Sequence, residues 1–177
     1  RNVPAGSSTR HAVLWGTRAS IFSILDLLAN VGWTLATLDS SKELMPYIPN
    51  LVVRLDAALT GNIAKASIGS VPIVGNLGLG FTFVPGRPLP YKEEGDSMHL
   101  LSAGGELRLW HFSVGIEMRN MLNRRYREVE FNYASNFVSP NALPSRMPER
   151  HFVAGEPFFL MGTITWHIED MFRGSLK

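Results

Sequence analysis

Seven stretches of the chain alternate between apolar and polar residues, and this alternation limits the fold more than any other feature. In the stretch from 51 to 60 the odd positions are apolar, namely Leu51, Val53, Leu55, Ala57 and Leu59. The even positions include the charged residues Arg54 and Asp56. Because successive side chains of a β-strand point to opposite faces, such a stretch forms a strand with one apolar and one polar face. The sequence therefore predicts an all-β protein.

The same pattern recurs in stretches 13–21, 29–36, 73–83, 101–109, 112–119 and 158–168. The apolar residues take odd positions from Val13 to Leu109 and even positions from Phe112 to Ile168. A one-residue slip in register would turn every strand over, so we predict a fixed antiparallel pairing of about seven strands. Four arginines fall on the polar side of the pattern: Arg18, Arg54, Arg108 and Arg119.

The length of the stretches favours a membrane barrel over a soluble sheet. Soluble strands average about five or six residues, whereas an outer-membrane strand needs about ten to cross the hydrocarbon at a tilt. An arginine that faces lipid near the midplane costs about 2–4 kcal/mol, and these four arginines avoid that side. We therefore expect Leu55 and Ile116 to contact lipid, and Arg54, Asp56, Glu117 and Arg119 to face the lumen.

Composition excludes several other classes of protein. The chain has no cysteine, which rules out disulfides, thiol chemistry and cysteine zinc sites. Its net charge of +2 is small and its basic residues are dispersed, so we expect no nucleic-acid partner. The segment Ile21–Leu38 is long enough for a membrane helix, but Asp26 and Asn30 interrupt it and its second half alternates with period two.

The connections between the stretches predict a topology. Short or moderate links fall at Ser23–Asp26, Gly61–Ser70 and Trp110–His111, and Gly61–Ser70 is nearly as long as the outward ones. Longer links rich in proline, glycine and charge fall at Asp39–Asn50, Pro85–Ser97 and Asn123–Glu156. Outer-membrane barrels have short periplasmic turns and long extracellular loops, which places the long links outside and the C-terminus in the periplasm. We predict that 123–155 forms the largest outward loop, an ordered lid over the barrel mouth or plug.

Several motifs in the C-terminal half suggest a family. They are Arg119–Tyr126 (RNMLNRRY), Phe131–Tyr133 (FNY) and Pro148–Pro157 (PERHFVAGEP) followed by a last alternating strand. These segments resemble the C-terminal end of TonB-dependent outer-membrane receptors, in which a (V/R)-N-L-(F/L)-(D/N)-R-x-Y segment ends the penultimate strand and an R-x-(F/Y)-x-(A/G)-G-x-P segment leads into the last. Tyr47–Pro49 and Arg87–Pro90 are also similar to that family. The resemblance covers nearly the whole chain.

The resemblance implies a protein larger than this chain. Such receptors are barrels of the 22-stranded type with an N-terminal plug that the energy-transducing protein TonB grips. Residues 1–170 then form the C-terminal third of the barrel, 171–177 a C-terminal extension, and the plug is absent from this chain. Expected partners are the remaining barrel strands and plug, TonB through the plug, and outer-membrane lipid of a Gram-negative bacterium. Arg1–Arg10 lacks the apolar core of a secretory signal, so we expect further sequence upstream.

The C-terminal end of the chain departs from the family pattern. Family members usually end on an aromatic residue that the barrel-assembly machinery reads, whereas here Trp166 is followed by eleven more residues. We expect this extension to be a periplasmic tail or a subunit contact. Three aromatic residues in the long C-terminal loop suit either loop and interface packing, which is the favoured interpretation, or ligand contact: Tyr126, Phe131 and Tyr133.

Catalytic interpretations have little support in the sequence. The histidines His11, His99, His111, His151 and His167 lie on different predicted strands or loops. The glycines of Gly75–Gly80 lie inside a predicted strand with no helix after them, so they predict a lumen surface rather than a phosphate site. Glu106 with Arg108 and Glu117 with Arg119 predict cross-strand ion pairs beside the turn at Trp110. We therefore predict no enzyme activity, catalytic residue, cofactor or metal.

Three functions remain open at this point. The first, which the resemblance implies, is energy-coupled uptake of a scarce ligand such as a metal chelate, cobalamin or an oligosaccharide. The second is a receptor-like barrel that serves as a scaffold in an outer-membrane assembly. The third is a soluble β-barrel that binds a small apolar ligand. The ligand-binding residues are unknown from the sequence, because loop side chains choose the ligand.

Overall fold

A computed structural model describes residues 6–68, 71–134 and 147–168. These residues form nine strands and one short 3₁₀ helix at Pro90–Lys92. The strands are β1 (Ser8–Ile21), β2 (Leu25–Leu38), β3 (Leu51–Ile68), β4 (Val71–Val84), β5 (Met98–Leu109), β6 (Phe112–Arg119), β7 (Arg127–Ala134), β8 (Pro148–Ala154) and β9 (Phe159–Trp166). None of the helical structure in these ranges is long and apolar enough for a membrane-crossing helix.

Seven of the strands form one antiparallel sheet in the order β1-β2-β3-β4-β5-β6-β9. The all-β prediction and the seven-stranded antiparallel sheet are therefore confirmed, and the segment Ile21–Leu38 is a turn followed by β2. The sheet does not close on itself within the described residues. β1 pairs only with β2 and β9 only with β6, so each leaves one row of backbone groups without a partner strand.

Register joins the apolar residues of all seven strands into continuous rows. One row, read across the sheet through directly opposed residues, consists of Ala19, Leu27, Ala57, Leu79, Ala103, Met118 and Leu160. The adjacent row on the other face consists of Ser20, Asp26, Ala58, Gly78, Gly104, Glu117 and Met161. We call the face with the first row the apolar face and the other the polar face. The predicted division of the strands into two faces is confirmed.

The described chain has almost no hydrophobic core of its own. Only Ala36, Leu89 and Ala103 are buried among its apolar side chains. On the apolar face, Leu55 is 44% exposed, Val114 57% and Ile164 80%. Monomeric soluble proteins rarely expose contiguous apolar patches larger than a few hundred Å², and larger ones are typical of surfaces that contact protein or membrane.

One predicted connection is wrong. The sequence predicts a link at Gly61–Ser70, but β3 continues to Ile68 and β4 begins at Val71. The register between β3 and β4 shifts between Asn62 and Ser67, and this irregularity interrupts the alternation that marks a strand. With this short link, the two ends of the sheet differ in the length of their connections. The short links lie at one end, and the three long connections lie at the other. We call these the short-link end and the long-loop end.

The predicted loop 123–155 contains regular structure of its own. β7 and β8 pair as a separate two-stranded antiparallel sheet with Arg127 opposite Ala154 and Ala134 opposite Pro148. The described part of this segment is therefore ordered, as an ordered lid requires. Its middle, 135–146, and the predicted C-terminal extension, 171–177, lie outside the described residues.

Candidate functional site

Charged side chains lie around a cavity of about 500 Å³ on the polar face. Arg54 and Asp56 of β3 line one side of it, and Glu117 and Arg119 of β6 line the other. Between them the floor is made of small residues of β4 and β5, including Gly78, Gly80, Ser102 and Gly104. The polar face thus carries charged residues on β3 and β6, with small residues of β4 and β5 between them. A polar surface of this kind is expected on the lumen side of a membrane barrel.

Gly80 makes room for the central ion pair of this face. The Arg54 Nε donates to both carboxylate oxygens of Asp56 at 2.9 Å, and its Nη1 donates to Thr82 Oγ1 at 2.9 Å. A Cβ atom at position 80 would lie 2.8 Å from Arg54 Nη2, 2.8 Å from Ser102 Oγ and 3.0 Å from Asp56 Oδ1. Glycine at this position therefore allows the guanidinium to lie across β4.

Two further groups of charges lie on the same face. Arg18 reaches Asp26 at 3.3 Å on the neighbouring strand, and Ser20 also donates to that carboxylate. Arg119 pairs with Glu117 at 3.0 Å and with Glu156 at 3.2 Å. The predicted pairing of Glu117 with Arg119 is confirmed, but it runs along β6 rather than between strands. Residues two apart on one strand point to the same face, which explains the difference.

The three long connections contact one another at the long-loop end. The hydroxyl of Tyr47 donates to the carbonyl of Asn132 at 3.2 Å, and the Tyr47 amide donates to the carbonyl of Pro88 at 2.7 Å. Asn132, only 4% exposed, donates through Nδ2 to the carbonyl of Pro90 at 3.3 Å. Tyr47 also packs against Phe131, with ring centres 5.7 Å apart. The β7–β8 hairpin is therefore attached to both of the other loops.

A buried carboxylate secures this attachment. Glu130 is 1% exposed and accepts hydrogen bonds from Arg127 Nη1 at 2.8 Å and from the Asp96 amide at 2.9 Å. A Cβ atom on Gly95 would overlap the Glu130 carboxylate, so glycine is needed there for close approach. A buried carboxylate costs much free energy unless it is paired and hydrogen-bonded, and here it is both. Glu130 thus holds β7 on the 85–97 loop.

A second ion pair joins β8 to the same loop. Arg150 Nη2 donates to Glu93 Oε2 at 2.8 Å and to the carbonyl of Glu94 at 2.8 Å. The hydrogen bond to the Glu93 carboxylate raises the pKa of Arg150 above its ordinary value. Both strands of the hairpin are therefore tied to the 85–97 loop by charged groups, one buried and one at the surface.

Two of the motifs that suggest a family, Arg119–Tyr126 and Pro148–Pro157, contact each other in the structure. Asn120, 4% exposed and at φ 45°, donates through Nδ2 to the carbonyls of Arg124 and Glu156, each at 2.9 Å. Its Oδ1 accepts the amide of Arg124 at 3.0 Å. Asn120 thus ends β6 by bonding the backbone of the residues that follow it. Asparagine suits this position because it tolerates the left-handed conformation and offers both donor and acceptor.

Tyr126 and Gly155 complete this contact between the motifs. The Gly155 amide donates to the carbonyl of Tyr126 at 2.9 Å, and the Glu156 amide donates to the Tyr126 hydroxyl at 3.2 Å. A Cβ atom on Gly155 would overlap the Tyr126 ring. The ring therefore packs closely against the glycine, which leaves no room for a side chain at position 155. We call the unit formed by 120–126 and 155–157 the motif junction.

The three aromatic residues singled out in the sequence, Tyr126, Phe131 and Tyr133, each have a packing contact. Tyr126 packs on Gly155, Phe131 contacts Tyr47, and Tyr133 stacks on His151 with ring centres 4.1 Å apart. These contacts agree with the favoured interpretation of loop packing. Phe131 and Tyr133 nevertheless remain 45% and 49% exposed.

The histidines are dispersed, as the sequence predicts, with one local exception. Ser113 Oγ lies 2.8 Å from His167 Nε2, and the His167 amide donates to the carbonyl of His111 at 2.6 Å. Ser113 is 2% exposed, which closes it to substrates. Across the described ranges, no three His, Asp or Glu side chains are grouped so that they could hold a metal ion.

Sequence reasoning missed the contacts that hold the long loops together. Glu130, Arg150 and Tyr47 each bond residues more than thirty positions away, and no local pattern announces such pairs. The only signal available was the proximity that the topology predicts for the three long connections.

Searches of family models, curated proteins and solved structures find no match to this chain. The resemblance to TonB-dependent receptors thus stays a prediction.

Proposed function

We propose that this chain forms part of the wall of a TonB-dependent outer-membrane receptor and takes part in energy-coupled uptake of a scarce ligand. The observation that carries the proposal is the unbroken apolar face of the seven-stranded sheet. Its rows continue from β1 to β9, while the charges of the same strands lie on the other face. This is the division of surfaces that a barrel wall between lipid and a polar lumen requires.

The edges of the sheet support a larger assembly. All fourteen residues of β1 are exposed. β1 pairs only with β2, and β9 pairs only with β6. In hydrocarbon each backbone group without a partner costs several kcal/mol, so a wall segment with two free edges needs further strands. The proposal therefore assigns the missing strands and the plug to a neighbouring part of the receptor.

The motif junction supports the family assignment. The two motifs that resemble the receptor family lie far apart in sequence but bond each other through Asn120, Tyr126 and Gly155. Because the two motifs form one structural unit, their joint presence in the sequence supports the resemblance more than two segments that do not touch would. A metal chelate, cobalamin or an oligosaccharide remains the proposed class of ligand.

The exposed apolar face also bears on the alternatives. A soluble β-barrel buries an apolar interior, whereas the described chain buries only three apolar side chains. A scaffold built from a receptor-like barrel would have the same barrel wall as an uptake receptor but would lack a plug with a TonB-binding segment. The plug on the partner is thus the feature that separates uptake from scaffolding.

Photo-crosslinking across a single row tests the assembly. A photoreactive residue would replace Ala19 on β1, Leu160 on β9, or the control Leu79 on central β4, all in the same apolar row. We expect Ala19 and Leu160 to crosslink to polypeptide beyond this sheet, and Leu79 to crosslink only to lipid. Native mass spectrometry of the extracted complex should find a plug with a TonB-binding segment. A partner without a plug would favour the scaffold, and β9 crosslinked to β1 would contradict the receptor proposal.

A further inference from the structure

Three arginines of the motif junction and β7 line a cavity of about 600 Å³ at the long-loop end. They are Arg124, Arg125 and Arg127, and the only acidic residue that shares the lining is Asp96. The described lining therefore has two formal positive charges in excess. Tyr126 and Phe152 contribute aromatic surface to the same cavity.

Arg124 and Arg125 differ from the other arginines nearby, which are paired with carboxylates. Arg127 pairs with Glu130 at 2.8 Å and with Asp96 at 3.4 Å, and Arg150 pairs with Glu93. Within the described residues, Arg124 and Arg125 have no carboxylate or hydrogen-bond partner for their guanidinium groups. Two adjacent cations without partners in one cavity raise the local potential and attract an anion.

The backbone beneath these two cations is held firmly. Asn120 bonds both the amide and the carbonyl of Arg124, at 3.0 and 2.9 Å. Tyr126, on the other side of Arg125, is fixed through its carbonyl and its hydroxyl to Gly155 and Glu156. Arg125 thus lies between two anchored residues. A site that is ordered before the ligand arrives loses less entropy on binding.

From this geometry we infer that the cavity binds a phosphate group, with Arg124 and Arg125 as the principal ligands. Guanidinium groups match phosphate oxygens through paired charge-assisted hydrogen bonds, which a single ammonium cannot provide. The volume exceeds that of one phosphate, and the rings of Tyr126 and Phe152 suit the sugar or apolar part of a phosphorylated molecule. The inference goes beyond the proposed function and holds whether or not the sheet is a barrel wall.

Two sources supply this chemistry, a phosphorylated lipid headgroup and a soluble phosphorylated compound. The probes are pyrophosphate, measured by calorimetry, and phosphatidylcholine vesicles with or without phosphatidic acid, measured by flotation. The full chain would be used in the complex in which it is extracted, in uncharged detergent for calorimetry and in phosphatidylcholine nanodiscs for flotation, so that it floats only when it binds the vesicles. Binding of pyrophosphate indicates a soluble source, and binding only to phosphatidic acid indicates a headgroup.

The R124Q/R125Q double variant removes both unpaired cations, and we expect it to bind the active probe about tenfold more weakly or worse. The charge-matched control R10Q/K42Q removes two cations outside the cavity and should bind as the unaltered chain does. The R124K/R125K variant keeps the charge but loses the planar fork, and should be intermediate. Circular dichroism confirms that each variant is folded.

Three results would overturn the inference. They are no binding of either probe by the unaltered chain, unchanged binding by R124Q/R125Q, and an equal loss in the control R10Q/K42Q. The last result would show that net charge alone attracts the probe.

Discussion

Leu107 of β5 lies directly opposite Val114 of β6, so an odd-numbered apolar residue meets an even-numbered one. The cause is the two-residue turn at Trp110 and His111, which joins Leu109 to Phe112. This turn moves the apolar positions from odd to even without moving them to the other face. The change in parity that the sequence shows near residue 110 is therefore a property of one hairpin.

Adjacent alanines on β3 test which face meets lipid. Ala57 belongs to the apolar row and Ala58 to the polar row beside it. We expect Ala57→Arg to lower the free energy of unfolding in bilayers by about 2–4 kcal/mol, because its charge would enter hydrocarbon. The matched Ala58→Arg, which points to the polar face, should change it by about 0.5 kcal/mol or less. Equal losses in urea unfolding of the two reconstituted variants would contradict the division of faces.

The sequence predicted the sheet well because alternation is a local property that each strand carries itself. It failed at Gly61–Ile68 because a register shift between Asn62 and Ser67 breaks the period without ending β3. The sequence also did not predict the β7–β8 hairpin or its contacts with the other long loops. Those contacts join residues that are far apart in the chain. Glu130 is secured by the Asp96 amide, which lies thirty-four positions away, and no sequence period reports such a bond.

Substitution of two glycines on β4 tests the packing of the polar face. A side chain at Gly80 would meet Arg54, Asp56 and Ser102, whereas one at Gly78 would find only backbone oxygens at 3.8 and 4.0 Å. We expect Gly80→Val to displace the Arg54–Asp56 pair and to destabilise the chain by about 1–3 kcal/mol. Gly78→Val is the control and should remain within about 0.5 kcal/mol of the unaltered chain. Denaturant titration in micelles gives both values, and a neutral Gly80→Val would disprove the steric argument.

The motif junction has a similar test. Gly155→Ala places a methyl group into the Tyr126 ring and should destabilise the chain by about 1–3 kcal/mol. Gly162→Ala on β9 is the control, since its nearest neighbour would be a backbone oxygen at 4.0 Å. Adding Tyr126→Ala to Gly155→Ala should remove the clash, so the two substitutions should be strongly non-additive. Additive losses would mean that the ring and the glycine do not depend on each other.

The connection between β1 and the first long loop should weaken in acid. Hydrogen bonds from Thr9, and then from Ser7, lower the pKa of Asp39 from its ordinary value of 3.8. A carboxylate with a lowered pKa in the folded state stabilises the structure above 3.8, and this contribution is lost as pH falls through the lower value. The Asp39 amide, which donates to Ser7 at 3.1 Å, should then exchange faster after correction for intrinsic rates. Asp39→Asn should abolish this pH dependence, and its persistence would assign it to another group.

The central claim is that the apolar face meets lipid and the polar face meets a lumen, and spin labels measure this directly. Because the chain has no cysteine, a single one introduced at each site can be labelled alone. The sites are the neighbours Leu55 and Asp56 on β3, and Ile116 and Glu117 on β6. In outer-membrane vesicles we predict that oxygen, which partitions into lipid, relaxes the labels at Leu55 and Ile116. A water-soluble nickel chelate should relax those at Asp56 and Glu117. Equal accessibility of the neighbours to both reagents would contradict the account.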